Sequence, residues 1–286
     1  MTDQIKPSEI KPSPDIHSVV RERYGKIAES FQTSKSASCC GPASSDCCSG
    51  QTESIVKLYE SPEAATLPEE ITGLSLGCGD PVTLASLEPG QVVLDLGSGG
   101  GIDCFLAGRK VGPSGHVIGV DMTPAMLEKA RENLRRIGAQ NVEFRLGEIE
   151  HLPVGDNQVD VIISNCVINL SPDKPQVFRE AFRSLKPGGR LAVSDIVTDG
   201  PLPESIKSNL SAWAGCVAGA LDVKDYIAGI EAAGFVDVSL TPVYLAPEMV
   251  DEAITQLDDA IDLENIPQES LYKAVFSAKI TAHKPE

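Results

Sequence analysis

Eight cysteines stand in this sequence in two arrangements, and a thiolate is a soft ligand suited to soft, thiophilic centres. Cys39, Cys40, Cys47 and Cys48 fall within SKSASCCGPASSDCCSG, a Ser/Gly-rich stretch with almost nothing to bury. Cys78, Cys104, Cys166 and Cys216 are scattered through the remainder. Neither set has the paired CxxC spacing of a zinc ribbon, and a chain of 286 residues with a full core needs no disulfide framework. Free cysteine is also among the most buried residue types, and Cys104 reads best as simple packing.

A second constellation surrounds Asp95-Leu-Gly97-Ser98-Gly99-Gly-Gly101. Glycines there let the backbone approach a ligand and adopt positive φ. The dinucleotide fingerprint requires glycine or alanine three positions after its second glycine, where this chain has Ile102. Asp95 would crowd a pyrophosphate but suits the ammonium of a methionine moiety. Asp121 can accept from both ribose hydroxyls, Met122 offers a soft face to adenine, and Glu148 can accept from the adenine amino group. With Ile149 and Asn165, these residues form a candidate S-adenosylmethionine site along one edge of a sheet.

The elements that must position them read clearly. A helix is predicted around Ile16–Phe31. From Gln91 onward, strands QVVLDLG, HVIGVD, VEFRLG, VDVIISN and RLAVSDIV alternate with helices. The helices are expected from about Ile102 to Lys110, from a Thr123 cap with Pro124 to Gly138, and over DKPQVFREAFRSLKPGG with a Pro-Gly-Gly stop. This rhythm predicts an α/β fold built on a parallel, doubly wound, Rossmann-like sheet. Residues 200–223 interrupt it with a long insertion holding the only Trp and Cys216. A helix near Lys224–Gly234, a strand at VDVSL, a helix over MVDEAITQLDDAI and a strand within SLYKAVFSAKITAHK complete the chain. Three regions follow: 1–70, a helix and a mobile Cys-rich segment; 71–199, the cofactor-binding core; 200–286, the substrate-binding insertion, remaining core elements and C-terminal region.

Composition narrows the classes. Asp and Glu total 41 against 24 Lys and Arg, and no basic cluster is evident, so nucleic acid is not an expected partner. No apolar run approaches the roughly 20 residues of a membrane span, and no signal-peptide pattern is evident. The expected location is cytoplasmic.

VLDLGSGGGID, SLGCG, SNCVINLSPDKPQVFREAFRSLKPGG, SDI and WAGCVAGAL together resemble the arsenite S-adenosylmethionine methyltransferases, from about Tyr24 to the C-terminus. The resemblance implies a class I methyltransferase fold and arsenite methylation serving arsenic detoxification. By position it assigns Cys78, Cys166 and Cys216 as arsenic ligands. Cys39 and Cys40 match the cysteine or pair after the N-terminal helix, while Cys47 and Cys48 have no firm counterpart. Trivalent arsenic held by three thiolates keeps a lone pair that can attack a sulfonium methyl without a general base, and SNCVINL offers no histidine or lysine. The tail thiols, Cys39 or Cys40, are expected to pair with Cys78 and pass electrons from a thioredoxin- or glutathione-type reductant. The expected partners are arsenite, methylated arsenicals and that reductant. Two other readings stay open: methylation of a small organic acceptor, and a thiol-rich metal-binding or sensor protein.

Overall fold

A computed structural model describes residues 15–31, 59, 64–73, 77–200, 219–244 and 274–286. Its helices are α1 (Ile16–Ser30), α2 (Glu69–Thr72), α3 (Pro81–Ala85), α4 (Ile102–Val111), α5 (Pro124–Ile137), α6 (Lys174–Ser184) and α7 (Val223–Ala232). Its strands are β1 (Val92–Leu96), β2 (His116–Asp121), β3 (Val142–Leu146), β4 (Val159–Asn165), β5 (Leu185–Thr198), β6 (Leu221–Asp222), β7 (Val236–Val243) and β8 (Val275–His283). The sheet runs β3-β2-β1-β4-β5-β8-β7, and β6 pairs with the end of β5.

Strand periodicity divides the core between the two faces. Leu94 and Leu96 of β1 pack with Val177, Phe178 and Ala181 of α6 and with Tyr226 and Ile230 of α7. Val93 points the other way, into a layer with Val82 of α3, Phe105 and Leu106 of α4, and Leu127 and Ala130 of α5. Each such side chain, fully buried, contributes about 1.5–3 kcal/mol. The two layers hold the β-strand ends rigid where a ligand would sit.

Three local expectations change. The sheet is mixed: β8 runs antiparallel between β5 and β7, because hydrophobic pattern records burial and not strand direction. Helix α6 stops at Ser184, and Leu185 already pairs with Val159. The Pro-Gly-Gly segment instead lies within β5 at a register shift, where Gly188 donates to the Lys284 carbonyl at 3.0 Å. The Lys284 ammonium donates to the carbonyls of Phe182 (2.7 Å) and Leu185 (2.8 Å), capping the end of α6 from the distant C-terminus. Thr123 stands at the N-cap of α5 with Pro124 following, but its side chain makes no cap bond. Its backbone N–H is taken by the Asp121 carboxylate at 2.8 Å.

The predicted helix over MVDEAITQLDDAI lies outside the described residues, as does most of the 200–223 insertion with Cys216. So do Cys39, Cys40, Cys47 and Cys48.

Candidate active site

A cleft enclosing about 890 Å³, part of it open to solvent, lies over the carboxyl ends of β1, β2 and β4, where open α/β sheets bind their ligands. Its floor is the β1–α4 turn. Gly97 and Ser98 donate to the Val120 carbonyl at 2.8 and 2.9 Å, and Gly99 donates to Asp121 Oδ2 at 2.9 Å. One carboxylate thus ties the glycine turn to the start of α5. Burial raises the Asp121 pKa, against the lowering effect of its bonds from Thr123 and Gly99. Two glycines are sterically required: a Cβ on Gly97 would meet Val167 at 2.4 Å, and one on Gly101 (φ 94°) would meet Phe105 and Phe144 at 2.8 Å. Gly99 has φ 50° and open space before it, which leaves its backbone bare to a ligand.

Of the expected cofactor residues, Gly97, Ser98, Gly99, Asp121, Met122, Ile149 and Asn165 line the cleft. Gly101 caps α4 just behind it. Two carboxylates do not line it. Asp95 turns into the interior, 2% exposed, where Cys104 Sγ donates to its Oδ2 at 3.1 Å. Burial first, then repulsion from Asp103, pushes the Asp95 pKa well up. The strand alternation that buries the side chains of β1 also buries this one. Glu148 Oε1 lies 3.9 Å from His17 Nδ1 and 3.7 Å from Arg21, while Glu150 stands on the cleft wall. Cys104 packs as expected, fully buried beside Gly119, and burial raises its thiol pKa strongly.

Several lining residues had no clear sequence signal. His17, Val20 and Tyr24 place α1 over the cleft. His17 Nε2 lies 3.0 Å from Glu150 Oε1, and Ser171 donates to the same oxygen. Asp103, in the first turn of α4, reads in sequence as an ordinary helix-start acid. In the structure it is 6% exposed, lines the cleft, and its Oδ1 has no hydrogen-bond partner. Burial raises its pKa to about 7, against the lowering hydrogen bonds from Asn165 and Tyr59.

The cysteines converge at the β4 end of this cleft. Cys166, on the cleft wall, is joined to Cys78 by a disulfide with a Cα–Cα distance of 5.9 Å. Cys78 therefore has Cys166 as its partner in this structure, where the sequence predicts Cys39 or Cys40. The flanking glycines make this approach possible: a Cβ on Gly77 would strike the Asn165 amide at 2.4 Å, and one on Gly79 would strike Ser194 at 2.7 Å. Asn165 Oδ1 accepts from Cys78 N at 2.9 Å, and Ser277 donates to the Cys78 carbonyl at 3.0 Å. Asp80 then caps α3 through Thr83 N at 2.8 Å, which fixes the chain just after Cys78. The candidate third ligand, Cys216, lies outside the described residues. Among the described residues, no three His, Cys, Asp or Glu side chains form a metal-holding group.

Residues 87–234 match a family described as a methyltransferase domain. The chain is 45% identical over 276 residues to the arsenite methyltransferase of Halobacterium salinarum, covering 93% of this chain and 66% of that protein. It is 35% identical over 268 residues to the arsenite methyltransferase of Aquipseudomonas alcaligenes, covering 91% and 71%. The structure of an arsenic(III) S-adenosylmethionine methyltransferase from Chlamydomonas reinhardtii superposes with a TM-score of 0.61 at 34% identity, covering 83% of this chain and 74% of that one. The chain thus spans about two thirds of the length of these relatives. With a glycine-floored cleft at the sheet edge and two cysteines meeting on its wall, it belongs to the arsenite methyltransferase family.

Proposed function

We infer that the protein transfers methyl groups from S-adenosylmethionine to thiolate-bound trivalent arsenic, in the service of arsenic detoxification. The observation that carries this is the meeting of Cys78 and Cys166 at the wall of a class I methyltransferase cleft. The described residues fit the donor: a bare glycine turn at its floor, Asp121 and Met122 at the β2 end, and Asn165 at the β4 end.

S-adenosylmethionine supplies an electrophilic methyl on a positively charged sulfur. The chain's part is to place a nucleophile against it. Cys78, Cys166 and Cys216, as thiolates, would hold arsenic with its lone pair directed into the cleft, and no side chain need remove a proton. Holding two reactants as a near-attack pair contributes up to roughly 7–11 kcal/mol to lowering the barrier. The Cys78–Cys166 disulfide and the arsenic-binding dithiol are two redox states of one pair. Opening it takes two electrons from an external thiol of the thioredoxin or glutathione type, through a mixed disulfide. Cys39 and Cys40, with Cys47 and Cys48 as substitutes, would relay those electrons. A cytoplasmic location fits a site that works with reduced thiols.

Incubation with arsenite, S-adenosylmethionine and a thiol reductant, followed by arsenic speciation, tests the reading. Methylated arsenicals are expected; their absence alongside measurable donor binding would point to methylation of a small organic acceptor instead.

A further inference from the structure

The Gly77-Cys78-Gly79 segment has little stiffness of its own. Glycine on either side leaves the backbone freer than any other residue would, and fixing it costs conformational entropy. Two side chains from different strands supply the missing constraint. Asn165 Oδ1, at the end of β4, accepts from Cys78 N at 2.9 Å, and Ser277 Oγ, on β8, donates to the Cys78 carbonyl at 3.0 Å. Asn165 also lines the donor cleft and so serves two sites. Ser277 does not line that cleft, and it is buried, 2% exposed, with its hydroxyl on Cys78.

The other cysteine is fixed from the neighbouring strand. Cys166 N donates to the Ser194 carbonyl of β5 at 2.8 Å, and Cys78 Sγ lies 3.6 Å from the same oxygen. In the antiparallel β5–β8 pair, Ser194 stands opposite Lys279 and Ile196 opposite Ser277, so Ser194 and Ser277 are diagonal neighbours on one face of the sheet. Strand β5 thus anchors one cysteine and β8 the other. A disulfide and a chelated arsenic both require two sulfurs within a narrow range of separation, so the anchoring of Cys78 enters both equilibria.

We propose that Ser277 is a positioning residue for the Cys78 sulfur: its hydroxyl holds the Gly-Cys-Gly segment in the reduced protein, so that Cys78 is already ordered when arsenite or Cys166 meets it. The proposal rests on Cys78 and Cys166 being arsenic ligands. Each sulfur–arsenic bond replaces one hydroxyl of arsenite, which leaves as water with the thiol proton. Preorganisation lowers the entropy lost in that exchange, and the same restriction favours the closed disulfide over the open dithiol. Without the hydroxyl, the Cys78 carbonyl loses its donor and the segment regains freedom, while the donor cleft keeps every residue that lines it.

The test follows three equilibria on the full-length protein. Calorimetry gives arsenite binding to the reduced form and, separately, S-adenosylhomocysteine binding. Peptide mass spectrometry after thiol capture gives the Cys78–Cys166 state in glutathione buffers, where two glutathione thiols are oxidised to one glutathione disulfide as the protein disulfide is reduced to two thiols. Ser277→Ala should weaken arsenite binding about five-fold and shift the glutathione equilibrium about five-fold toward the dithiol, the effect of one lost hydrogen bond, with S-adenosylhomocysteine affinity unchanged. Ser277→Thr and Ser277→Val share a shape and differ in the hydroxyl, so the first should bind arsenite about five-fold more tightly than the second. Wild-type values in either equilibrium for Ser277→Ala, or equal arsenite affinity in the Thr and Val substitutions, overturns the proposal. A matching loss of S-adenosylhomocysteine affinity in Ser277→Ala overturns it too, since it marks a general structural role. No arsenite binding by the wild-type protein would instead overturn the reading of Cys78 and Cys166 as ligands, and the glutathione equilibrium would then decide by itself whether Ser277 places Cys78.

Discussion

Cys166 adopts a left-handed backbone, φ 57°, immediately after β4, a conformation that costs a non-glycine residue on the order of 1–3 kcal/mol. The chain holds it there from two sides. Its N–H donates to the Ser194 carbonyl at 2.8 Å, and the turn that follows is fastened by Asn169, which donates to Asp195 at 2.8 Å and to the Ile196 carbonyl at 2.6 Å. Cys166→Ser should therefore fold and bind S-adenosylhomocysteine as the wild type does, yet lose nearly all arsenite methylation, because ligands acting as a unit are not additive. Calorimetry and arsenic speciation check the two halves, and equal methylation by wild type and variant would refute the thiolate site. Asp195 gives a second prediction. It is fully buried, and burial raises its pKa to about 7 despite bonds from Ile196, Tyr226 and Asn169. A carboxyl whose folded pKa is raised binds a proton more tightly when folded. Its favourable contribution is thus full below its unfolded pKa, near 4, and is lost as pH climbs through about 7. Thermal melts between pH 5 and 8 should show wild-type stability falling more steeply with pH than that of Asp195→Asn.

At the scale of elements, α1 links the chain's beginning to donor binding. Asp15 accepts from His17 N at 3.2 Å to start the helix, Val20 and Ala28 are buried, and His17 and Tyr24 face the cleft. His17 reaches Glu150, which Ser171 also holds, so the helix is fastened to the loop beyond β3 and to the turn beyond Cys166. His17→Ala should weaken donor binding about five-fold, the worth of one ordinary hydrogen bond of about 1 kcal/mol. Lys26→Ala, which breaks only the exposed pair with Glu22, should leave it unchanged. Calorimetry with S-adenosylhomocysteine separates the two. The glycine turn answers more sharply. Gly101→Ala would force a Cβ to 2.8 Å from two aromatic rings at a φ of 94°, and its melting temperature should drop together with donor affinity.

Across the whole molecule, Cys78 is the point where distant parts of the chain meet. Asn165 of β4 holds its N–H, Ser277 of β8 holds its carbonyl, and Cys166 holds its sulfur. The tail cysteines are proposed to act on this junction, and the test must leave α1 intact, since α1 lines the donor cleft. Replacing Cys39, Cys40, Cys47 and Cys48 together with serine should leave arsenite binding largely intact and reduce turnover toward a single methylation. Full multiple turnover would show the tail thiols are dispensable, and loss of arsenite binding would make them ligands.

The sequence by itself determined the order of strands and helices from Gln91 to Thr198 and the glycine turn. Periodicity and glycine spacing are local properties of the chain, whereas the cysteines at GCG and SNCVINL were singled out by the family resemblance, and the structure brings those two together. Asp121, marked in the sequence, does line the cleft, because it ends a strand whose direction the alternation already sets. Which of two nearby carboxylates lines the cleft depends on packing around the turn and is not a local property: Asp103 and Glu150 line it, Asp95 and Glu148 do not. The buried side of β1 took Asp95 inward, and the first turn of α4 brought Asp103 to the wall. Strand direction at β8 and the docking of α1 were likewise invisible, because hydrophobic pattern reports burial but not the partner that provides it. The pairing of Cys78 with Cys166 was settled by tertiary structure alone: two thiols 88 positions apart meet only because two glycines let one backbone lie against Asn165 and Ser194.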